Sequence, residues 1–568
     1  MTTILKRTGS LLLPVLLLLA TACSRSKAPV ANNDWVYDNL EFEMPRVQEP
    51  VFPNRSLNIS DLGAVADGQT LNTKVFAQGI EQLAAQGGGK LVVPAGIYLS
   101  GPIVLKSNIN LHLEEGALLR FSDNLDLYPL VESYFEGKAA WRCQSPLSAV
   151  GQENIAITGP GVIDGNGQAW RPVKQGKMTA NQWRDLVNSG GVLVDKDRMW
   201  FPTEKAAEGW RQSSSNLPQL DSFEEYKAIK DYLRPVMVSL IDCDKVLLDG
   251  PTFQNSPAWN IHPLMCRDLT VRNLTVRNPW YSQNGDGLDV ESCKNVVIYN
   301  NNFDVGDDAI CFKSGKDKQG RERGIPTENV VVKNNVVYHG HGGFVIGSEM
   351  SGGVRNVHVS DCTFMGTNIG IRFKSNRGRG GVVENIYISN INMIDIPTEP
   401  IRFNMFYGGK APLLDDGSSS LPPVDKETKA HEVSEETPSF RNIHVKNIVA
   451  NGFGNAALFM GLPEMKLENV TLENARLTAP KGFSIVDAHN IRLINVEVIQ
   501  EEGPAFTLFN SSNIDLEQLR FNEKDGLEGL AISGAATRGI RLLRADFGAP
   551  DQQIRMVNGA SAVALDWE

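Results

Sequence analysis

A short unit that begins with asparagine recurs through most of this chain. Each copy continues with alternating β-branched or aliphatic residues and breaks at a second Asn or a small residue. The anchors Asn329 and Asn356 are 27 residues apart, and Asn490 and Asn513 are 23 apart. Such a unit cannot bury its apolar face alone, so its copies must stack on one another. Further copies begin at Asn154, Asn295, Asn385, Asn442 and Asn469.

The composition of the repeats predicts a solenoid built from short parallel strands. Alternation of Val, Ile and Leu with period 2 indicates strands. Asn and Gly at the breaks suit the left-handed and bridging conformations of sharp corners. Parallel crossovers are right-handed by strong preference. We therefore predict an all-β fold, a right-handed parallel β-helix; a leucine-rich or hexapeptide solenoid would need signatures that are missing here.

One β-helix domain is expected to cover residues 56–568. Near its start, apolar residues of segment 71–86 recur with helical spacing and three glycines follow at 87–89, which predicts a short N-terminal capping helix. Insertions are expected near 165–234 and 411–440. The first carries several tryptophans and could wall a cleft, because insertions in solenoids often lie on the binding face. The second is rich in Asp, Glu, Ser and Pro, which is typical of a solvated loop.

The first 23 residues have the pattern of an export signal. Lys6 and Arg7 precede an apolar run at 11–20. The segment LATAC at 19–23 resembles a bacterial lipobox, which implies lipidation of Cys23 and a lipid-anchored protein in the periplasm or at the outer membrane or cell surface of a Gram-negative-type bacterium. Ordinary secretion is the alternative. Residues 24–55 are expected to be an N-terminal linker or extension, and membrane contact is expected only through the anchor, since no other apolar run is long enough to span a bilayer.

The remaining composition limits the cofactors and partners that we expect. Six further cysteines follow no CxxC spacing, which argues against a metal or redox site, although a disulfide stays open in an oxidising compartment. The formal net charge is −11. Overall charge governs solubility and steering more than a local pocket does. We expect no cofactor, no metal and no nucleic-acid partner, and a monomer. The cysteines are Cys143, Cys243, Cys266, Cys293, Cys311 and Cys362.

Three aspartates have the spacing of one solenoid turn. Asp286 and Asp307 are 21 residues apart, and Asp308 follows directly. Repeats of this kind run ~20–30 residues and stack ~4.8 Å apart, so the three carboxyls would form one cluster. Crowded carboxylates cannot all ionise with ordinary pKa values, so one keeps a proton while another stays charged. An acid beside a base is the apparatus of glycoside hydrolysis.

Two cations are placed to face one side of a later strand. Arg372 and Lys374 are two residues apart, the spacing that puts side chains side by side in a strand. Adjacent cations suit a uronate carboxylate, which Arg can bind with two hydrogen bonds. The alternative is a structural pair that bridges to neighbouring acids.

Four short motifs resemble those of polygalacturonases, glycoside hydrolase family 28, and occur in the same order. Two departures leave the charged groups in place: Gly285 stands where the family usually has Thr, and Phe373 where it has Ile. Segments 61–68 and 87–96 also resemble the start of other pectin-active β-helices. The motifs are Asn284-Gly-Asp286, Gly306-Asp-Asp308, Gly340-His-Gly342 and Arg372-Phe-Lys374.

The resemblance implies a role for each residue of these motifs. Asp307 would be the general acid, while Asp286 and Asp308 would hold and deprotonate the attacking water. His341 would tune the protonation of the acid. Because the family inverts, we expect inversion. The candidate substrate-binding residues are Arg372, Lys374, Tyr407, Asn284, Lys313 and His262, the last of which would line the non-reducing side.

The expected function is therefore inverting hydrolysis of α-1,4-galacturonosidic bonds in de-esterified homogalacturonan, with a pectic polysaccharide or oligogalacturonide as substrate. Exo action is favoured because the tryptophan-bearing insertion could close one end of the cleft, and because the whole chain resembles exo-acting bacterial members. The alternatives are a rhamnogalacturonan or endo-polygalacturonan hydrolase, a calcium-dependent pectate lyase, and a non-catalytic glycan-binding β-helix. A lyase would need a Ca²⁺ site of several carboxylates and a cationic base.

Overall fold

A computed structural model describes residues 33–407, 429–522, 524, 526–544 and 553–567. The predicted signal segment with Cys23 and most of the predicted insertion near 411–440 lie outside these residues. Within the described ranges, 38 strands form one continuous array whose pairings are parallel. The chain is a right-handed parallel β-helix, as the repeats predict.

In the described part of the chain, the strands follow the repeats closely and five α-helices accompany them. In chain order, α1 to α5 are Thr73–Ala85, Ala180–Asn188, Glu204–Gln212, Phe223–Ala228 and Asp317–Arg323. Strands β1 to β22 are Ser56–Asn58, Asp67–Leu71, Gly89–Val93, Gly96–Ser100, Ile103–Val104, Ile109–Leu113, Ala117–Phe121, Leu130–Phe135, Lys138–Cys143, Leu147–Val150, Glu153–Thr158, Val162–Asp164, Val173–Lys174, Val192–Val194, Met199–Phe201, Val238–Ile241, Asp244–Asp249, Thr252–Gln254, Ile261–Leu264, Arg267–Arg272, Thr275–Arg277 and Leu288–Glu291.

Strands β23 to β43 complete the solenoid. They are Lys294–Tyr299, Asn302–Asp304, Asp308–Lys313, Thr327–Lys333, Val336–Gly347, Val354–Met365, Thr367–Lys374, Val382–Ile396, Glu399–Asn404, Ser439–Gly452, Asn455–Met460, Leu467–Thr478, Lys481–Val486, Ala488–Ile499, Pro504–Phe509, Ser512–Glu517, Arg520–Phe521, Glu528–Ser533, Arg538–Leu543, Ile554–Val557 and Leu565–Trp567.

The asparagine anchors form a ladder at one corner of the coils. Asn356 donates its side-chain amide to the Asn329 side-chain oxygen, 3.1 Å away, and Asn385 donates in turn to Asn356 at 3.3 Å. These anchors have φ values of 54–56°, in the left-handed region that Asn tolerates better than most residues. The repeated Asn therefore turns the chain and also ties each coil to the preceding one.

The inward side chains of the coils form a single apolar column. It runs from the capping helix α1 to the last strands and is fully buried along its length. The helix begins at Thr73, two residues later than the periodicity suggests, and buries Phe76, Ile80 and Leu83 over the first coil. The predicted cap is therefore present. All six of the described cysteines are buried free thiols.

The insertion near 165–234 folds as a small layer of its own. It contains helices α2 to α4 and the three-stranded antiparallel sheet β13-β15-β14, packed around Phe201 and Leu233. The antiparallel hairpin β8–β9 contacts this layer, with the Trp141 and Phe223 rings 5.0 Å apart. The sequence repeats do not predict this hairpin.

Residues 33–55 form an N-terminal extension that lies against the solenoid. Val36 is buried against Val297 and Val331 of the outer strand faces. Glu49 forms an ion pair with Arg272. Within the described part of the chain, no helix has both the length and the apolar character needed to cross a membrane.

Candidate active site

The three aspartates of the first two motifs meet on one face of the solenoid. Strand β22 pairs with β25 so that Leu288 is opposite Ile310, which places Asp286 beside Asp308 at the strand entrances. One oxygen from each of Asp286, Asp307 and Asp308 lies within 4.8 Å of the other two. The cluster that the spacing suggests is thus present in the fold.

Their surroundings shift the pKa values of Asp286 and Asp307 in opposite directions. Burial raises the pKa of Asp286 well above its ordinary value, and the charges of Asp289 and Asp307 raise it further. Burial also raises the pKa of Asp307, but a hydrogen bond from His341 and the charges of the nearby cations Lys374 and Lys177 outweigh it and lower that pKa overall. Of these two carboxyls, Asp286 therefore keeps a proton to higher pH and Asp307 ionises first.

His341 touches the cluster because two glycines flank it. Its Nδ1 lies 3.1 Å from Oδ1 of Asp307. A Cβ on Gly340 would lie 2.8 Å from the Asp307 carbonyl oxygen, and one on Gly342 would lie 3.2 Å from Oδ1 of Asp308 and overlap Val345. The Gly-His-Gly motif thus allows the backbone of β27 to approach the main chain of Asp307 and the carboxylate of Asp308.

Arg372 and Lys374 point at the same cluster from strand β29, two coils beyond Asp307 and Asp308. Lys374 Nζ lies 2.6 Å from Oδ2 of Asp308, and Arg372 Nη1 lies 3.4 Å from Oδ1. Both cations face the Tyr407 ring, at 5.1 Å for Lys374 and 5.6 Å for Arg372. Within the described chain, buried Nε of Arg372 has no hydrogen-bond partner. The pair therefore neutralises Asp308 and also keeps donor capacity for another acceptor.

Comparison with known proteins identifies the family. The profile described as Glycosyl hydrolases family 28 matches residues 224–425. A crystal structure of a hyperthermoactive exopolygalacturonase from Thermotoga maritima is 32% identical, with a TM-score of 0.64, over 80% of this chain and 93% of that one. The chain belongs to glycoside hydrolase family 28. It is a glycoside hydrolase on a parallel β-helix.

Two curated relatives of this family-28 enzyme differ in their stated mode of action. An exo-poly-alpha-D-galacturonosidase from Dickeya chrysanthemi is 28% identical over 77% of this chain and 71% of its own length. An endo-polygalacturonase from Pectobacterium carotovorum is also 28% identical, over 68% of this chain and 79% of its own. The overall resemblance therefore does not separate exo from endo action.

Asn284 is held by the insertion. Its side-chain oxygen accepts hydrogen bonds from Arg234 at 2.9 Å and from Asn216 at 3.4 Å. Its φ of 54° places it in the left-handed region, immediately before the catalytic loop. The residue predicted to contact substrate thus has a clear second task, because it anchors the loop that carries Asp286.

Two predicted substrate contacts lie below the surface. His262 is 1% exposed and its Nε2 lies 3.0 Å from Glu291. Lys313 is 3% exposed and its Nζ lies 3.2 Å from Glu349, over the Trp259 ring. Burial leaves neither side chain open to a polysaccharide in this structure. With Glu291 and Glu349 they form a buried polar layer beneath the site.

Sequence reasoning missed three residues at the site: Lys177, Arg234 and Ser282. Lys177 Nζ lies 3.4 Å from Nε2 of His341. Lys177 and Arg234 come from the insertion, where no repeat gives their position. Ser282 could have been found from Gly285, which stands where the family usually has Thr. The missing side chain suggests that a nearby residue fills its space, and Ser282 lies three residues before it.

Ser282 explains the glycine at position 285. The serine is buried, its hydroxyl donates to the Pro279 carbonyl at 2.7 Å, and a Cβ on Gly285 would overlap both its Oγ and its Cβ. Gly285→Thr is therefore expected to lower the free energy of unfolding by about 1–3 kcal/mol, the usual range for overpacking. Gly285→Thr combined with Ser282→Gly should recover most of it in urea unfolding. An unchanged stability of the single variant would contradict this packing.

Proposed function

We propose that this enzyme hydrolyses α-1,4-galacturonosidic bonds of de-esterified homogalacturonan. The observation that carries the proposal is the cationic pair Arg372 and Lys374 beside the carboxylate cluster, with Tyr407 against both. A uronate is a sugar with a carboxylate, so one residue of this polymer offers a charge for the pair and a bond for the acids. The exopolygalacturonase from Thermotoga and the exo-poly-alpha-D-galacturonosidase from Dickeya support the same substrate.

In the proposed reaction, a single proton changes its holder when substrate binds. In the free protein the pKa of Asp286 is shifted upward and that of Asp307 downward, whereas an acid catalyst at Asp307 needs the proton. Lys374 is one of the cations that lower the pKa of Asp307. A uronate bound to Lys374 offsets that charge and so raises the pKa of Asp307. The proton then passes to Asp307, and Asp286 becomes the carboxylate that, with Asp308, activates water.

We propose inversion of the anomeric configuration because the family inverts. The distances within the carboxylate cluster make this proposal testable. The nearest carboxyl oxygens lie within 4.8 Å, closer than the ~6.5–9.5 Å usual for inverting pairs and nearer to the ~5–5.5 Å of retaining ones. A third carboxyl distinguishes this site from an ordinary pair, because two of the three can hold one water. Proton NMR of the first product decides: the β-anomer from an α-bond means inversion, and the α-anomer means retention.

Exo action is part of the proposal and depends on the insertion. This layer reaches the catalytic loops at two points, through Lys177 at His341 and through Asn216 and Arg234 at Asn284. A layer so placed would narrow the cleft on one side and favour cleavage from a chain end. Endo action remains the second candidate, as in the Pectobacterium relative.

Product analysis tests the whole proposal. With de-esterified polygalacturonic acid and excess chelator, we expect saturated galacturonic acid or a single short oligomer from the first minutes, without a ladder. Methyl-esterified polymer should react with a kcat/KM lower by about 10–100-fold, since a charged hydrogen bond contributes ~1.5–3 kcal/mol. A ladder of oligomers would make the enzyme endo-acting. Unsaturated products that disappear on chelation would mean a lyase and would overturn the proposal.

A further inference from the structure

A chain of three polar groups links the insertion to the acid. Lys177 Nζ lies 3.4 Å from Nε2 of His341, and Nδ1 of the same ring lies 3.1 Å from Oδ1 of Asp307. The imidazole side chain is 35% exposed and the aspartate side chain 22% exposed. The three side chains thus stand at the edge of the carboxylate cluster, within reach of both solvent and substrate.

The chemistry of these groups fixes the direction of the hydrogen bonds. A lysine ammonium can only donate, so the Nε2 that it contacts must be the acceptor. A neutral imidazole has one acceptor nitrogen and one donor nitrogen, and the proton must then be on Nδ1. That N–H points at Asp307, which accepts it.

The backbone around Lys177 holds the ammonium in this position. The preceding strand β13 pairs with β15, and the amide of Gln175 donates to the Arg198 carbonyl at 2.9 Å. Immediately after Lys177, Thr179 and Gln182 form a capping box that starts helix α2. The lysine lies between two anchored segments and is half-buried. It is therefore a fixed part of the site and not a loose surface side chain.

We propose that Lys177 is a positioning residue that holds His341 as the neutral tautomer whose Nδ1–H donates to Asp307. This inference rests on the proposed function, since it gives the acid of that reaction its hydrogen-bond donor. It assigns to the insertion a direct role in the protonation state of the acid, in addition to any role as a wall. Arg can replace the charge of Lys177, whereas Met keeps only its bulk.

The first test is the pH dependence of kcat/KM for wild type, Lys177→Met and Lys177→Arg. Cationic Lys177 lowers the pKa of Asp307, so its removal raises that pKa and the acid stays protonated to higher pH. The alkaline limb of the Met variant should move upward by about half a pH unit, with little change in KM, and the Arg variant should stay near wild type. The titratable and charged groups around Asp307 and Lys177 are His341, Lys374, Asp286, Asp289, Asp308, Arg372 and Lys174.

Lys205→Met is the matched control, because Lys205 is an exposed lysine in helix α3 of the same insertion. It should leave the pH profile unchanged. If Lys177 instead bound substrate, its Met variant would raise KM without moving the alkaline limb, and the inference would fail. The same conclusion would follow from an equal shift in Lys205→Met.

A second test does not need turnover. The chain has eight histidines, so nitrogen-15 labelling of histidine gives few NMR signals, and His341→Asn assigns the relevant one. In wild type, we expect Nδ1 protonated and Nε2 bare; in Lys177→Met, the preference for this tautomer should be lost. The opposite tautomer in wild type, or the same strong preference in Lys177→Met, overturns the inference. Inactive wild type on polygalacturonate would instead overturn the proposed function and leave this test standing.

Discussion

Asp307→Asn is expected to lower kcat on polygalacturonic acid by about 10²–10⁴-fold, the usual contribution of a general acid. The amide has no acidic proton to give to the leaving oxygen. Its side-chain oxygen can still accept the hydrogen bond from His341, which lies 3.1 Å away. The folded structure should therefore survive, with little change in the thermal unfolding temperature. Release of reducing ends, measured at saturating substrate, reports the loss.

A second Asp–His pair in the same turn provides the control. Asp304 Oδ1 lies 2.9 Å from Nδ1 of His339, much as Asp307 faces His341, but the side chains of Asp304 and His339 are 49% and 62% exposed and lie outside the cluster. Asp304→Asn should keep activity near wild type. Comparable losses in both variants would show that the turn matters for structure and that Asp307 is not the acid.

The fold was predictable because its signal is local and repeated. Every coil needs a corner that turns the chain, and Asn supplies both the left-handed backbone and an amide for the next coil. Asn442 and Asn469 show this at the usual 27-residue spacing, with a side-chain hydrogen bond of 3.0 Å. The aspartate cluster was accessible for the same reason, since a period of one coil converts sequence separation into stacking.

The burial of two candidate substrate-binding residues depends on side-chain packing over the strands, which the sequence pattern does not show. His262 and Lys313 lie on strands whose outward face the period-2 pattern leaves open, yet Trp259 covers both, 5.1 Å from the His262 ring and 4.7 Å from Lys313 Nζ. Arg323 of helix α5 covers the same layer, with its Nη1 2.6 Å from Oε1 of Glu291. No strand pattern records such coverage. Lys177 was missed because only the folding of the insertion brings it next to His341.

Lys374→Met is expected to lower the free energy of unfolding by about 3–5 kcal/mol, because it leaves a buried charge without its nearest partner. The Asp308 side chain is 1% exposed and Lys374 Nζ lies 2.6 Å from it, while Arg372 is farther, at 3.4 Å. Burial lowers the pKa of Lys374, but the Asp308 carboxylate raises it more, so that it ends above the ordinary value. The contribution is thus complete below the ordinary lysine pKa and disappears only as pH rises through the raised one. Urea unfolding at neutral pH measures it in full.

The double variant separates stability from catalysis. Lys374→Met with Asp308→Asn removes both charges, so much of the lost stability should return, and a coupling energy follows from the cycle of the two single variants. Activity should not return, because the water-holding carboxylate and the uronate partner are both gone. Recovery of activity in the double variant would assign the pair a purely structural role, which is the alternative that the ion pair with Asp308 leaves open.

Substrate selectivity then decides what Lys374 does in the reaction. Wild type should prefer de-esterified over methyl-esterified oligogalacturonides, and Lys374→Met should lose most of that preference, since the ester removes the charge that Lys374 recognises. Lys466→Met is the control. Lys466 is a partly buried lysine on a later coil, away from the cluster, and the charge of Asp487 raises its pKa against the effect of burial. It should lose some stability and keep the preference. Only a role in uronate binding predicts that the two variants differ in selectivity while both are destabilised.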